Sequence, residues 1–580
     1  MVTDEASPPP GLGAPPRAAG WRAVFPPAQW LPAYRGEWLP KDAVAGITLA
    51  AYAIPVSLAY ATLAGLPPQH GVYCYLLGGL LYALFGTSRQ LAVGPTSAIS
   101  MLVGTTVADM AGGDPRRWLE IAELAALAAA GMCLLAWLLR LSSLVAFISE
   151  TNLLGFKAGA GLTIAMTQLP KLFGVKGGGE SFFKRAGVLA GQLGDTNLAV
   201  LAFGMAAIVV LLLGEKFLPG RPVALLVVVA SIVILSTTSL SAQGFKTVGA
   251  LPEGLPSLGR PSLRLRDVDG ILPLSFACVL LAYVESVSAA RTLAGKNGYE
   301  IDSRQELLAL GAANLATAFG QGYPVAGGLS QSSVNDKAGA RTPLSLVFAS
   351  ATIALCLLFL TGLLRNLPQV VLAAIVLVAV KGLIKVRELA RLWRLSRLEF
   401  GVAMVAVVGV LLLGILKGVL LAALASFLML LRAAMRPRVS QLGRIPGTAR
   451  YSDVERNPDN EGVPGLLILR VEASILYLNA EYVRDAAREK LRAAPPPVRA
   501  VVIDLSSSPS VDVTGALMLS GLEKELAAAG VALRLVEARA GVRDLLRAGG
   551  LDVRVGDVSR RASVHEVIEA FRALPEARKA

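Results

Sequence analysis

Two short segments of the sequence combine glycine with hydroxyl residues, which can bind an anion without a buried positive side chain. Gly94-Pro95-Thr96 is typical of a helix start, because proline is favoured at the first helical position and threonine and serine can cap helices. Gly328-Leu329-Ser330 is expected to begin a helix in the same way. The first N–H groups of a helix have no partner within it, and the helix dipole favours negative charge there. The candidate residues are Gly94, Thr96, Ser97 and Ala98 in one segment and Gly328, Leu329, Ser330 and Gln331 in the other.

The order of apolar segments along the chain supports an anion site made by both helix starts. The two short segments are the third and tenth of fourteen, so they divide the chain into two repeats of seven. An odd repeat inserts with opposite orientation, and broken helices at corresponding positions mark the substrate site of many secondary transporters. Close packing through small residues is the alternative. The segments are 43–62, 71–86, 93–108, 118–139, 144–168, 196–214, 222–240, 271–290, 304–320, 328–338, 341–364, 368–383, 400–415 and 417–434.

One acidic residue, Glu285, lies deep in the eighth segment. A charge at this depth costs about 2.5–3.5 kcal/mol on insertion scales, so the side chain is expected to face a cavity. A proton taken up there would cancel charge on an anion, which favours proton–anion symport. A sodium site needs several oxygen ligands, and only Ser286 and Ser288 are near. A structural ion pair with Lys157 or Arg291 is the alternative.

Composition indicates a polytopic α-helical membrane protein. Of the 580 residues, 54% are hydrophobic, above the roughly 45–50% of soluble proteins, and each span needs about 20 apolar residues. The net charge of +14 fits basic cytoplasmic loops, and no nucleic-acid motif accompanies it. Neither the four cysteines nor the two histidines form a ligand set, and no enzyme motif is present. We expect no catalysis, no cofactor, no metal and no nucleic-acid partner.

The chain is predicted to have four regions. Residues 1–37 are expected to be a disordered tail, 38–435 a transmembrane transport domain, 436–464 a linker rich in proline and glycine, and 465–580 a small α/β domain. An even number of spans places both termini on one side of an inner or plasma membrane. The basic stretch 381–400 indicates that this side is the cytoplasm.

Several of these motifs resemble those of the sulfate permease (SulP) family of anion transporters. The match is close over Tyr82–Pro95, which leads into the first short helix, and over Asn335–Leu344. Residues 501–505 and 512–515 resemble the STAS domain of the same transporters. The resemblance implies a core domain of spans 1–4 and 8–11, a gate domain of spans 5–7 and 12–14, an elevator-like motion between them, and a homodimer. Thr514 occupies the place of a hydroxyl that is phosphorylated in some relatives; a helix cap is the alternative.

Two positions depart from the family pattern. Val56-Ser57 stands where many members have Gln-Gly, and Gln331 stands where many have arginine. Because losing an amide and a cation changes the field of the site, the substrate cannot be copied from one branch of the family. We expect secondary active transport of a small inorganic anion by proton symport, with sulfate as the first candidate substrate.

Other activities fit the same sequence. One is a bicarbonate or dicarboxylate transporter coupled to sodium or protons, and another is an anion exchanger or channel. A third is a membrane-anchored signalling protein in which the α/β domain binds cytoplasmic partners.

Overall fold

The computed structural model of the chain describes residues 24–142, 150–179, 181–218, 222–238, 243–250, 252–262, 267–556 and 558–573. The chain divides into two units, residues 1–426 and 427–580. The elements of the first unit, with the helix that crosses into the second, are α1 (Pro27–Trp30), α2 (Leu39–Leu63), α3 (Gln69–Phe85), β1 (Val93–Gly94), α4 (Ser97–Ala111), α5 (Pro115–Leu138), α6 (Glu150–Phe173), α7 (Phe182–Gly191), α8 (Leu198–Phe217), α9 (Val223–Thr237), α10 (Val268–Asn297), α11 (Ser303–Phe319), β2 (Ala326–Gly327), α12 (Leu329–Lys337), α13 (Leu344–Phe359), α14 (Gln369–Lys381), α15 (Val386–Leu395), α16 (Arg397–Leu413) and α17 (Ile415–Met435).

A helix lies at each of the fourteen predicted positions. Six helical stretches among the described residues are long and apolar enough to cross a membrane, the shortest with 20 residues. The third and tenth helices are α4, with 15 residues, and α12, with 9. The structure therefore describes a polytopic helical unit, while the count of fourteen spans stays a prediction.

The helices of the first unit pack in two sets. The core helices, α2–α5 and α10–α13, make their most extensive contacts with one another, as in the α5–α11 and α2–α13 pairs. The gate helices are α6, α8, α9, α14 and α16; the α6–α16 and α8–α14 pairs are the most extensive contacts of this set, and α9 contacts both this set and α2 of the core helices. Glycines allow this close approach in both sets: an added Cβ would lie 2.4 Å from the Ser345 carbonyl oxygen at Gly46 and 2.1 Å from that of Ala403 at Gly155.

Two buried carboxylates connect the sequence repeats within the core helices. Asp42, on α2, accepts hydrogen bonds from the backbone N–H of Arg341 at 2.6 Å and from the Thr342 hydroxyl at 2.7 Å. Glu306, on α11, accepts from the Tyr82 hydroxyl at 2.8 Å and the Thr87 N–H at 2.9 Å. Both carboxylates are fully buried, and together they fix the chain on the approach to β1 and on the exit from α12.

The predicted disordered tail, residues 1–37, includes a segment that has regular structure. Its first 23 residues lie outside the described residues. Residues 24–37 are described and include α1, a 3-10 turn at Leu31–Ala33 and the start of a second at Gly36–Trp38. The Val24 carbonyl accepts a hydrogen bond from the Gln305 side chain at 2.9 Å, and Phe25 packs edge-on against Phe85. Aromatic contacts and a buried amide hold this segment in spite of its high proline content.

The second unit is a mixed five-stranded sheet with helices. Strand order is β4-β3-β5-β6-β7; β5, β6 and β7 are parallel, and β3 is antiparallel to both of its neighbours. Leu469, Ile503 and Leu535 lie in its buried core. Its elements are β3 (Val439–Arg444), β4 (Tyr451–Asp453), β5 (Leu466–Val471), α18 (Ala480–Ala493), β6 (Ala500–Asp504), α19 (Val513–Ala528), β7 (Ala532–Val536), α20 (Ala540–Ala548), α21 (Asp552–Val555) and α22 (Val564–Ala573).

The predicted linker over residues 436–464 is wrong as a description of this segment. It contributes β3 and β4 to the sheet, and β3 pairs with β5 from Val439↔Val471 to Gln441↔Leu469. The two strands were not recognised in the sequence because prolines and glycines surround them and are typical of a linker. The α/β domain therefore begins before residue 465.

Candidate functional site

The two segments predicted to form the site meet in the structure. β1 and β2 pair antiparallel, with Val93 opposite Gly327 and Gly94 opposite Ala326, and all four residues are buried. Each strand runs directly into a short helix, β1 into α4 and β2 into α12. Because the strands run antiparallel and side by side, the two helix N-termini are brought to one place from opposite directions.

Both helix starts leave their first backbone donors without a side-chain cap. The N-cap residues are Thr96 and Gly328, each with extended backbone angles; the Thr96 side chain makes no capping hydrogen bond, and glycine has no side chain that could make one. The intrahelical bonds begin at Ser100, which donates to the Thr96 carbonyl, and at Ser332, which donates to that of Gly328. Uncapped N–H groups and two helix dipoles therefore converge, which is the arrangement that stabilises a bound anion.

The start of α4 supplies buried hydroxyl groups. Thr96 and Ser97 are less than 10% exposed, and Ala98 is fully buried beside them. Within the described part of the chain, the Thr96 hydroxyl has no hydrogen-bond partner. A buried hydroxyl without a partner costs about 1–3 kcal/mol, so the Thr96 hydroxyl is available to a ligand.

The start of α12 is more open than that of α4. Leu329 is 46% exposed and Ser330 is exposed as well. Gln331 is buried, and its amide nitrogen donates to the Ala92 carbonyl at 2.9 Å. The predicted residues of α12 therefore differ in their surroundings. Ser330 is accessible, whereas the Gln331 amide holds α12 to Ala92, the residue before β1.

Gly94 is required by packing. A Cβ at this residue would lie 2.3 Å from the ring of Tyr75, so any side chain would displace the tyrosine. The Tyr75 hydroxyl is buried and, like that of Thr96, has no hydrogen-bond partner among the described residues. Gly94 thus allows an aromatic ring to lie against the strand that feeds α4.

Two serines that the sequence analysis did not assign to the anion site hold the strand ends. The Ser332 hydroxyl accepts from the Ala92 N–H at 2.9 Å and donates to the Gly328 carbonyl at 2.7 Å. The Ser286 hydroxyl, on α10, accepts from the Gly327 N–H at 2.8 Å. The hydroxyl-rich run after Gly328 contained Ser332, but no signal in the sequence separated it from the serines beside it.

Glu285 pairs with Lys157, one of the two partners left open by the sequence. The Lys157 ammonium lies 3.3 Å from a Glu285 carboxylate oxygen, and the side chains are 27% and 11% exposed. The guanidinium of Arg291, the other candidate, donates instead to the Ser303 hydroxyl. Ser286, the residue next to Glu285, contacts β2.

Thr514, in the second unit, is exposed in the first turn of α19. The carboxylate of the N-cap residue Asp512 accepts from the N–H groups of Gly515 and Tyr477, both at 2.7 Å. A phosphate on Thr514 would therefore lie near a carboxylate that already uses the helix donors. Phosphorylation at Thr514 stays a prediction.

The first unit and the second match two different family models. The model of the sulfate permease family matches residues 39–406, and that of the STAS domain matches residues 457–566. A probable sulfate transporter of Mycobacterium tuberculosis is 33% identical over 555 residues, covering 96% of this chain and 99% of the relative. Low affinity sulfate transporter 3 of Stylosanthes hamata is 31% identical over 579 residues, covering 94% and 90%.

Solved structures share the fold. The murine Solute Carrier 26 family member A9 anion transporter, in its inward-facing state, superposes with a TM-score of 0.87 at 24% identity, covering 96% of each chain. The transmembrane domain of a cyanobacterial bicarbonate transporter superposes with a TM-score of 0.58 at 22% identity, covering 68% of this chain and 98% of that one. The family match extends over more than half of the chain. This chain therefore belongs to the sulfate permease family, whose members are membrane transporters and not enzymes, and it carries a STAS domain.

Proposed function

We propose that this chain is a secondary active transporter of small inorganic anions, with sulfate as the first candidate substrate. The observation that carries the proposal is the convergence of two uncapped helix N-termini across the β1–β2 pair. Such a site takes an anion through backbone donors and hydroxyl groups. Sulfate is favoured because relatives at 31–33% identity are named as sulfate transporters.

Transport would proceed by an elevator-like motion of the core helices against the gate helices, coupled to protons through Glu285. Both short helices belong to the core helices, so a bound anion would travel with them. The packing of the first unit into two sets supports this division. The Lys157–Glu285 ion pair joins α6 of the gate helices to α10 of the core helices, and it would have to break during the motion.

Uptake into proteoliposomes tests the proposal. We expect saturable uptake of labelled sulfate that an inward proton gradient accelerates and a sodium gradient leaves unchanged. Unlabelled sulfate should compete with the label better than bicarbonate or a dicarboxylate. Accumulation driven by sodium alone would contradict proton symport, and a flux that rises without saturation would indicate a channel.

We propose that the STAS domain lies in the cytoplasm and that the transporter is a homodimer in the cell membrane. Ser507 is exposed in the second unit, and the native cysteines are all buried. A Ser507→Cys variant should therefore resist a membrane-impermeant maleimide in intact cells and react after permeabilisation. Labelling of intact cells would place the domain outside. In detergent, the protein should sediment at twice the chain mass of 60.5 kDa, and sedimentation as one chain would contradict the dimer.

A further inference from the structure

Neither helix start at the anion site carries a basic side chain; the lysine of α12, Lys337, lies at the opposite end of that helix. Each helix N-terminus is equivalent to roughly half an elementary charge, so two of them supply about one positive charge. Gln331 is neutral, and its amide already donates to the Ala92 carbonyl. A divalent anion between α4 and α12 would therefore be left with about one negative charge uncompensated.

A cation lies nearby on a gate helix. The ammonium of Lys157 on α6 is 3.3 Å from the Glu285 carboxylate, and α6 packs against α4. Glu285 lies beside a residue that contacts the site. The hydroxyl of its neighbour Ser286 accepts a hydrogen bond from the Gly327 N–H, at the end of β2.

We propose that Lys157 is a substrate-binding residue that makes the site selective for divalent over monovalent anions. In this conformation its ammonium is held by Glu285; with an anion in the site it turns to the anion oxygens. A lysine suits this exchange, since its flexible stem carries a compact charge with three rotatable donors. The inference rests on the proposed function, and it gives the gate helices a direct part in binding an anion carried by the core helices.

A double-mutant cycle separates binding from neutralisation. The variants are Lys157→Gln, Glu285→Gln and the double substitution, and the readout is sulfate affinity of the purified full-length protein by calorimetry. We expect Lys157→Gln to weaken sulfate binding about 10-fold or more in the parent and again in the Glu285→Gln background. Affinity for a monovalent anion such as chloride should change far less.

Two other variants serve as controls. Lys157→Arg keeps the charge and should retain most of the preference for sulfate. Lys296→Gln removes a comparable ion pair, to Asp336 at 2.6 Å, whose lysine is 63% exposed, and should bind sulfate as the parent does. The Glu285→Gln background also guards against misfolding, because it avoids an unpaired buried carboxylate.

The outcomes are distinct. If Lys157 only neutralises Glu285, the double variant will bind sulfate as tightly as Glu285→Gln alone, and the inference is wrong. Equal weakening of sulfate and chloride binding would also overturn it, because the residue would not discriminate by charge. A parent protein that binds no anion would overturn the proposed function, and this inference with it.

Discussion

Replacing Leu329 by proline should weaken anion binding about 10-fold or more while the membrane unit stays folded. Leu329 is the first residue of α12, where its N–H has no intrahelical partner. Proline is favoured at this position, and it requires an extended residue before it. Gly328 already satisfies that requirement, with φ −103° and ψ 136°. The substitution therefore removes one backbone donor from the proposed anion site without opposing the helix.

The size of the effect follows from the charge on the acceptor. A hydrogen bond to a charged group contributes about 1.5–3 kcal/mol, and each 1.4 kcal/mol or so is a factor of ten in affinity. The measurement is the dissociation constant for sulfate together with the thermal unfolding temperature. Leu329→Ala is the matched control, because it removes the same exposed side chain but keeps the N–H. If the proline and alanine variants bind sulfate equally, the donor does not serve the site.

The helical unit and the backbone part of the site could be predicted from sequence because both depend on local patterns. Long apolar runs specify membrane helices whatever packs around them. The short segments were conspicuous because Gly-Pro-Thr and Gly-Leu-Ser interrupt such runs. Their convergence followed from the repeat, since equivalent segments in inverted halves approach the same axis.

The side-chain contacts that hold the site could not be predicted, because they join residues distant in sequence. Ser332 and Ala92 are 240 positions apart, and Ser286 and Gly327 are 41 apart. One serine among several neighbours carries no signal of such pairing. Gln331 was assigned to substrate binding from its place in the segment, and the hydrogen bond from its amide to the Ala92 carbonyl could not be predicted. The choice between Lys157 and Arg291 also required knowing which helix faces α10.

The boundaries of the predicted linker and N-terminal tail were misplaced because both segments are rich in proline and glycine. β3 and β4 are short strands at one side of the sheet, and their flanking prolines and glycines resemble a linker. Gly443 lies within β3, where an added Cβ would meet Val454 at 2.7 Å. The glycine that weakened the strand signal is thus needed for close packing against the next turn. The N-terminal segment was predicted to be disordered for a similar reason. Its contacts are with α3 and α11, which are distant in sequence.

The Glu285→Gln variant should still bind sulfate and exchange one anion for another, and it should lose accumulation driven by a proton gradient. Glutamine has nearly the shape of a protonated glutamate but cannot release a proton. If Glu285 carries the coupling proton, the variant resembles a permanently protonated carrier. Binding and the exchange of bound anions need no change of protonation, whereas net proton-coupled uptake does.

The position of Glu285 in the structure explains why its protonation would affect coupling. Glu285 is 11% exposed, and its carboxylate pairs with Lys157 across the two sets of helices. If the core helices move against the gate helices as proposed, the two charges must separate in each cycle, and protonation of the carboxylate would remove the attraction that holds them. A proton and an anion would then favour each other's binding, since the proton frees the ammonium that the anion uses. Such mutual enhancement is the linkage that symport requires.

Two assays on the same vesicles separate coupling from transport. Counterflow of labelled against unlabelled sulfate, without a pH difference, measures exchange; uptake with an acidic exterior measures coupling. Glu285→Gln should keep the first within a few-fold of the parent, an order-of-magnitude expectation for a neutral isostere, and lose the second. Glu285→Asp retains a titratable carboxyl and should keep some gradient-driven uptake. If the glutamine variant concentrates sulfate as the parent does, Glu285 does not carry the coupling proton, and its pairing with Lys157 serves the structure of the resting carrier.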